Sequence, residues 1–249
     1  MKGIQQTQKF RVLCLGDSVT DGFWLPGGYR NTLCSLLAEY GLASSVQFLG
    51  PICSGSGYDN RHAGYSGFAT EDIADSVSGP RIGIAGMLGN VLQCGTPDAV
   101  FLQIGTNDIL SLYELDRFGE RLNAICQRLL AAMPQDGLLC IGLLPPLDAA
   151  DSTYMDSRFF TEETADAAVT QCNAQIRSTA ASLQKNGRRV LLAEAGALLT
   201  KQDLKDGVHP TEAGYEKLGR FWFGILTGEL RRRRRMLLSS AAVPFRKAQ

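Results

Sequence analysis

Five short apolar runs, separated by stretches of helical spacing, constrain this chain more than any other feature. The runs are Arg11–Gly16 (RVLCLG), Val46–Gly50 (VQFLG), Ala99–Ile104 (AVFLQI), Leu138–Leu144 and Arg189–Ala193. They are continuous rather than alternating, which is the pattern of strands buried on both faces. Helical patterns follow. Leu33, Leu36 and Leu37 lie within Gly28–Gly41, and Leu115, Phe118, Leu122, Ile125 and Leu129 form a stripe within Glu114–Met133. Thr161–Lys185 reads as a long helix, and Pro210 opens a last one expected to reach about Leu226. Residues 51–69, rich in Gly, Ser and Asn, read as a long loop, and 70–95 as helical pieces interrupted at Gly79-Pro80. Repeated strand–helix order predicts a five-stranded parallel sheet covered on both faces, a three-layer α/β/α sandwich. Ligands in such folds bind beyond the carboxyl ends of the strands.

The chain has 249 residues, enough for one such domain. Hydrophobic residues at 45% against 20% charged exclude a disordered chain. The net charge of zero hides an asymmetry. Arg231 to Arg235, Arg246 and Lys247 lie in 231–249 with no acid among them. The expected division is therefore a domain over 1–230 and a basic tail over 231–249. The body keeps 18 basic residues against 25 acidic, so it is no nucleic-acid-binding surface. Any contact with a membrane surface would fall to the tail, which otherwise continues as a fraying helix end. Seven cysteines without CxxC spacing predict buried, reduced thiols and no zinc site. Those thiols and the polar N-terminus point to the cytoplasm, or to secretion if a leader has been removed. No metal or cofactor is called for, and the oligomeric state is not legible.

Three polar segments adjoin the strands or the last helix: Gly16-Asp17-Ser18, Gly105-Thr106-Asn107-Asp108 and Asp206-Gly207-Val208-His209-Pro210. A parallel sheet brings the first two to one edge. A serine hydroxyl needs an adjacent base to act as a nucleophile. The chain has two histidines, and His209 has Asp206 three residues before it. A carboxylate at that spacing can hold one imidazole nitrogen and leave the other facing Ser18. An oxyanion then needs donors. The candidates are the Ser18 N–H, the Asn107 amide and an N–H of a glycine-rich loop, with Gly67 preferred and Gly64 its competitor. His62, Asp17 and Arg30 are candidates for the substrate side; the alternatives are a hydrogen-bonded surface residue or loop brace for His62, loop bracing for Asp17 and an ion pair for Arg30. No G-x-S-x-G, Walker A, G-x-G-x-x-G or H-E-x-x-H motif occurs.

Together, GDSVTDG at 16–22, GYSGFAT at 64–70, GTND at 105–108 and DGVHP at 206–210 resemble the four blocks of the SGNH (GDSL) hydrolases, in family order. The resemblance implies a flavodoxin-like α/β/α fold and ester hydrolysis. It makes Ser18 the nucleophile, His209 the base and Asp206 its partner, with Ser18, Gly67 and Asn107 as the oxyanion hole. Gly28-Tyr29-Arg30 and the run His62-Ala63-Gly64-Tyr65-Ser66-Gly67 resemble carbohydrate esterase family 3, whose members remove acetyl groups from xylan and related sugars. Ala63 and Tyr65 stand where that family commonly has Glu and His. The expected function is a serine esterase for small O-acyl esters on carbohydrates. The alternatives are a lysophospholipase or thioesterase acting on lipid acyl groups, and a non-catalytic binding module.

Overall fold

Strand β1 (Phe10–Gly16) is the centre from which the fold builds outward. A computed structural model describes residues 9–241. After β1 come α1 (Ser18–Asp21), α2 (Tyr29–Glu39), β2 (Val46–Leu49), β3 (Ile52–Cys53), β4 (Arg61–Gly64) and α3 (Ile84–Leu92). Then follow β5 (Ala99–Gln103), α4 (Thr106–Leu110), α5 (Phe118–Ala132), β6 (Leu138–Gly142), α6 (Glu162–Lys185), β7 (Val190–Ala193) and α7 (Glu212–Ala241).

All five expected strands are present and mutually parallel, in the order β2-β1-β5-β6-β7. The sheet has seven strands rather than five, because the presumed loop 51–69 holds β3 and β4. β1 pairs with β2 over its first half and with β4 at its end, Leu15 with Ala63 and Gly16 with Gly64. β4 has the sequence RHAG, with no β-branched residue to announce it. Its extended state comes from the vacant edge of β1, a tertiary cause that overrides local preference.

Alternation along β1 divides the core. Val12 and Cys14 face α2 and α7, packing with Leu33, Leu37, Leu218 and Trp222. Leu13 and Leu15 face α3, α5 and α6, packing with Leu88, Leu122, Leu129 and Ile176. Two apolar layers on one sheet give the three-layer sandwich that the strand–helix order implies. The sheet order reverses between β1 and β5, and the crevice at such a switch point is the usual ligand site.

Two helical expectations change. Residues 70–83 form no helix; isolated bridges tie Ala69 to Gly83 and Ile73 to Arg81. The last helix begins at Glu212, where the Thr211 hydroxyl accepts from the Gly214 N–H (3.1 Å), and it runs through Ala241 instead of ending near Leu226. Arginine favours helix, and buried acids draw part of the run inward. Arg232 and Arg189 both bind Glu229, while Arg233 reaches Asp98 at 3.2 Å and stacks on Phe10. The rest of the expected tail, 242–249, lies outside the described residues. No helix among the described residues is long and apolar enough to cross a membrane.

Candidate active site

The chain leaves β1 at Gly16 and turns at once into α1. Asp17 caps that turn, its carboxylate accepting from the Val19 N–H at 3.0 Å. Ser18 is thus the first residue of a helix, and a first-turn N–H has no intrahelical partner. On the neighbouring strand, β5 ends in Gly105 and α4 carries Asn107. Its side-chain amide donates to the Phe68 carbonyl (2.9 Å), leaving the second amide hydrogen free for another acceptor. Asp108 accepts from the Thr70 N–H (3.0 Å) and from Arg121 (3.3 Å), so α4 holds the loop that carries Gly67. Tyr65 N–H to Gly16 carbonyl (2.9 Å) ties the same loop to the end of β1.

The third segment folds back over this edge. A bridge between Leu204 and Pro210 closes its turn, and Trp24 donates from its indole to the Pro210 carbonyl at 2.8 Å. Inside the turn, one Asp206 oxygen accepts from the Val208 and His209 N–H groups (3.1 and 2.8 Å). The other lies 2.8 Å from His209 Nδ1, and His209 Nε2 lies 2.9 Å from Ser18 Oγ. Burial alone would raise the Asp206 carboxyl; the hydrogen bonds from His209 and Val208 outweigh it and hold it below its usual value. A carboxylate on Nδ1 fixes the hydrogen there and leaves Nε2 as an acceptor for the serine proton. Phe23 stacks on the imidazole at 4.8 Å and Tyr154 meets it edge-on at 5.2 Å.

Ser18, His209, Phe23 and Tyr154 line a cavity of about 200 Å³ together with Gly67, Asn107, Ser66, Arg81, Leu110 and Val208. Gly67 has φ +82°, a conformation that L side chains rarely adopt. Gly64 is no competitor for its place: a Cβ there would sit 2.3 Å from the Asp21 backbone N, so Gly64 serves close packing of β4 on α1. A second depression of about 260 Å³ adjoins the cavity across Leu110 and Tyr154, with Ser78, Asp156 and Phe160 in its wall.

The residues considered for the substrate side do not line this cavity. Arg30 is buried, but it makes no ion pair among the described residues. Its guanidinium donates to the carbonyls of Thr20, Asp21, Ser54 and Asn60 and to the Ser54 hydroxyl. His62 is fully buried beside it, accepting at Nδ1 from the Gly64 N–H (3.0 Å) and donating from Nε2 to Ser54 Oγ (2.9 Å). Asp17 is buried under α1 as its cap. All three point where backbone groups needed partners, away from solvent. Sequence reasoning missed Ser66, Arg81, Leu110, Tyr154 and Val208 as cavity residues. Ser66 and Val208 lie inside the GYSGFAT and DGVHP blocks, which could have pointed to them, whereas Arg81, Leu110 and Tyr154 lie in no such block.

Burial, and then the Arg30 charge, push the His62 imidazole down to about 3. An unfolded histidine titrates near 6.5, so between these values unfolding takes up a proton. The His62 contribution is therefore present above about pH 6.5 and declines as pH falls, by roughly 1.4 kcal/mol per pH unit, until about 3. Asp17, raised to about 7 by burial, acts in the opposite sense, so the test is a difference. The stability gap between the wild type and His62→Gln should narrow by that slope from neutral pH to about pH 4, measured by urea unfolding. A gap constant with pH would show that His62 titrates normally in the fold.

Comparison with known proteins identifies the family. The model of the GDSL-like Lipase/Acylhydrolase family matches residues 14–217. A multidomain esterase of Ruminococcus flavefaciens is 31% identical over 234 residues, 89% of this chain. The chain spans only 29% of that protein's length. Among solved structures, a Clostridium thermocellum family 3 carbohydrate esterase superposes with a TM-score of 0.70 at 25% identity, covering 90% of this chain and 98% of its own. A family 3 carbohydrate esterase from Talaromyces cellulolyticus gives 0.67 at 25% identity, covering 90% and 99%. An acetyl esterase variant with acetate ion gives 0.66 at 25% identity, with the same coverage.

Proposed function

The chain belongs to the GDSL-like lipase/acylhydrolase family, and on that premise we propose that it is a serine esterase that removes short O-acyl groups, chiefly acetyl, from carbohydrates. The observation that carries the reading is the continuous chain Ser18 Oγ–His209 Nε2 and His209 Nδ1–Asp206, opening into one cavity with Gly67 and Asn107. The carbohydrate and acetyl elements are supported by the likeness of the chain to family 3 carbohydrate esterases and to an acetyl esterase. The cavity volume of about 200 Å³ supports a short acyl group, being below the range of roughly 300–1,000 Å³ typical of sites for larger ligands.

The chemistry runs in two halves. Ser18 Oγ attacks the ester carbonyl carbon as its proton passes to His209 Nε2. Negative charge collects on the carbonyl oxygen, where the Ser18 N–H, the Gly67 N–H and the free Asn107 amide hydrogen serve as donors. The tetrahedral intermediate collapses, and the alcohol departs with the proton held by His209. Water then enters, gives a proton to His209 and attacks the acyl-serine. The acid leaves and Ser18 regains its proton. Asp206 stays ionised throughout and stabilises the imidazolium that forms in each half.

A chain-length series of 4-nitrophenyl esters, combined with fluorophosphonate labelling, tests the reading. The expected result is labelling at Ser18 and a kcat/KM that is highest for acetate and falls by at least about tenfold at octanoate, a difference of about 1.4 kcal/mol. A preference for octanoate or longer would favour the lipid acyl hydrolase. An unlabelled, inactive protein would be a binding module.

A further inference from the structure

Arg81 is the one side chain with a permanent charge among the ten residues that line the active-site cavity. It reaches the cavity from the bridge that pairs Ile73 with Arg81. One Nη donates to the Gly67 carbonyl at 3.4 Å and the other to Ser78 Oγ at 3.1 Å. Among the described residues no carboxylate forms an ion pair with it. Its Nε is buried without a hydrogen-bond partner among the same residues. The contrast with Arg121 is instructive, because that buried guanidinium has Asp108 at 3.3 Å and Glu71 at 3.7 Å. A half-buried cation without a counter-ion is costly unless a partner arrives.

We propose that Arg81 is a specificity residue that binds a carboxylate on the alcohol half of the ester, as on an O-acetylated uronic acid sugar. The proposal rests on the esterase reading and deepens it. Arg81 stands between the two depressions, since Ser78, which it grips, lines the second. The small cavity beside Ser18 takes the acyl group, and the alcohol half extends past Leu110 and Tyr154. Among the described residues the second depression has no cation in its lining, and Asp156 in its wall is already paired with Arg158. That places the substrate's carboxylate at the Arg81 end, where the planar guanidinium can offer parallel N–H groups to both oxygens.

The test compares a mono-O-acetylated methyl glucuronoside with its uronamide, which differ only in carboxylate against carboxamide. Acetate release is followed for the full chain. The wild type should favour the carboxylate by about tenfold or more in kcat/KM, mostly through KM, and the preference should shrink as salt rises. In Arg81→Gln the ratio should fall to about one, with Arg81→Lys intermediate. A wild-type ratio near one, or a ratio unchanged in Arg81→Gln, overturns the proposal. Should Arg81→Gln not fold, the salt dependence of the wild-type ratio decides, and a salt-independent ratio overturns it. Turnover of 4-nitrophenyl acetate and labelling by a fluorophosphonate report separately on the esterase reading. Activity there with a ratio near one removes Arg81 alone.

Discussion

Replacing Ser18 by alanine should lower kcat/KM on 4-nitrophenyl acetate by about 10⁴-fold or more, the usual cost of losing a triad nucleophile. The physical ground is that Ser18 Oγ is hydrogen-bonded to His209 Nε2, the nitrogen turned away from Asp206, at 2.9 Å. Without it no acyl-enzyme can form, and the donors that remain can only polarise the ester towards water. The fold should persist. The substitution removes a single hydroxyl from a buried position, and the cap of α1 is made by Asp17, not by Ser18. The measurements are turnover, fluorophosphonate labelling and thermal unfolding of the same preparation. Near-wild-type turnover in a folded variant would remove Ser18 from the nucleophile's role.

Asp206→Asn should cost up to about 10⁴-fold in turnover while leaving the protein folded. Here the loop itself dictates the outcome. One Asp206 oxygen accepts from two backbone N–H groups, those of Val208 and His209. An asparagine would keep its carbonyl oxygen on those donors, because its amide nitrogen cannot accept from them. The NH₂ is then forced towards His209 Nδ1 and donates to it. That leaves the proton on Nε2, the tautomer that cannot receive the Ser18 proton. The stabilisation of the developing imidazolium is lost as well. Turnover with a neutral aryl acetate, set beside thermal unfolding of the variant, checks the effect. A loss of less than about tenfold would mean that another carboxylate orients the imidazole.

Much of the fold was legible because its signals are local. A buried parallel strand writes itself as a continuous apolar run, and β1, β2, β5, β6 and β7 all do so. β3 and β4 were hidden because they carry no such run. Their pairing partners, and not their own residues, make them strands. The length of α7 was underestimated for a related reason. Five adjacent arginines look like the end of a helix until Asp98, far away in sequence, receives Arg233, and Glu229, which also binds the distant Arg189, receives Arg232. His62 and Arg30 looked available to substrate as polar residues near glycine-rich segments. The structure instead spends their donors and acceptors on backbone groups of the 54–64 segment and of α1 and on the Ser54 hydroxyl.

By itself the sequence determined the sandwich class, the order of the polar segments along it, and the Asp206–His209 pair, whose three-residue spacing can close within one turn. Only the tertiary structure decided that His209 meets Ser18 across 191 residues, that Gly67 rather than Gly64 faces the cavity, and that Arg81 stands in its wall. The physical reason is the range of the forces involved. Periodicity and short turns are set by a residue's own neighbours within a helical turn or a strand pleat. The meeting of distant loops depends on sheet register and on two packed layers, summed over many weak contacts that no short stretch of sequence contains.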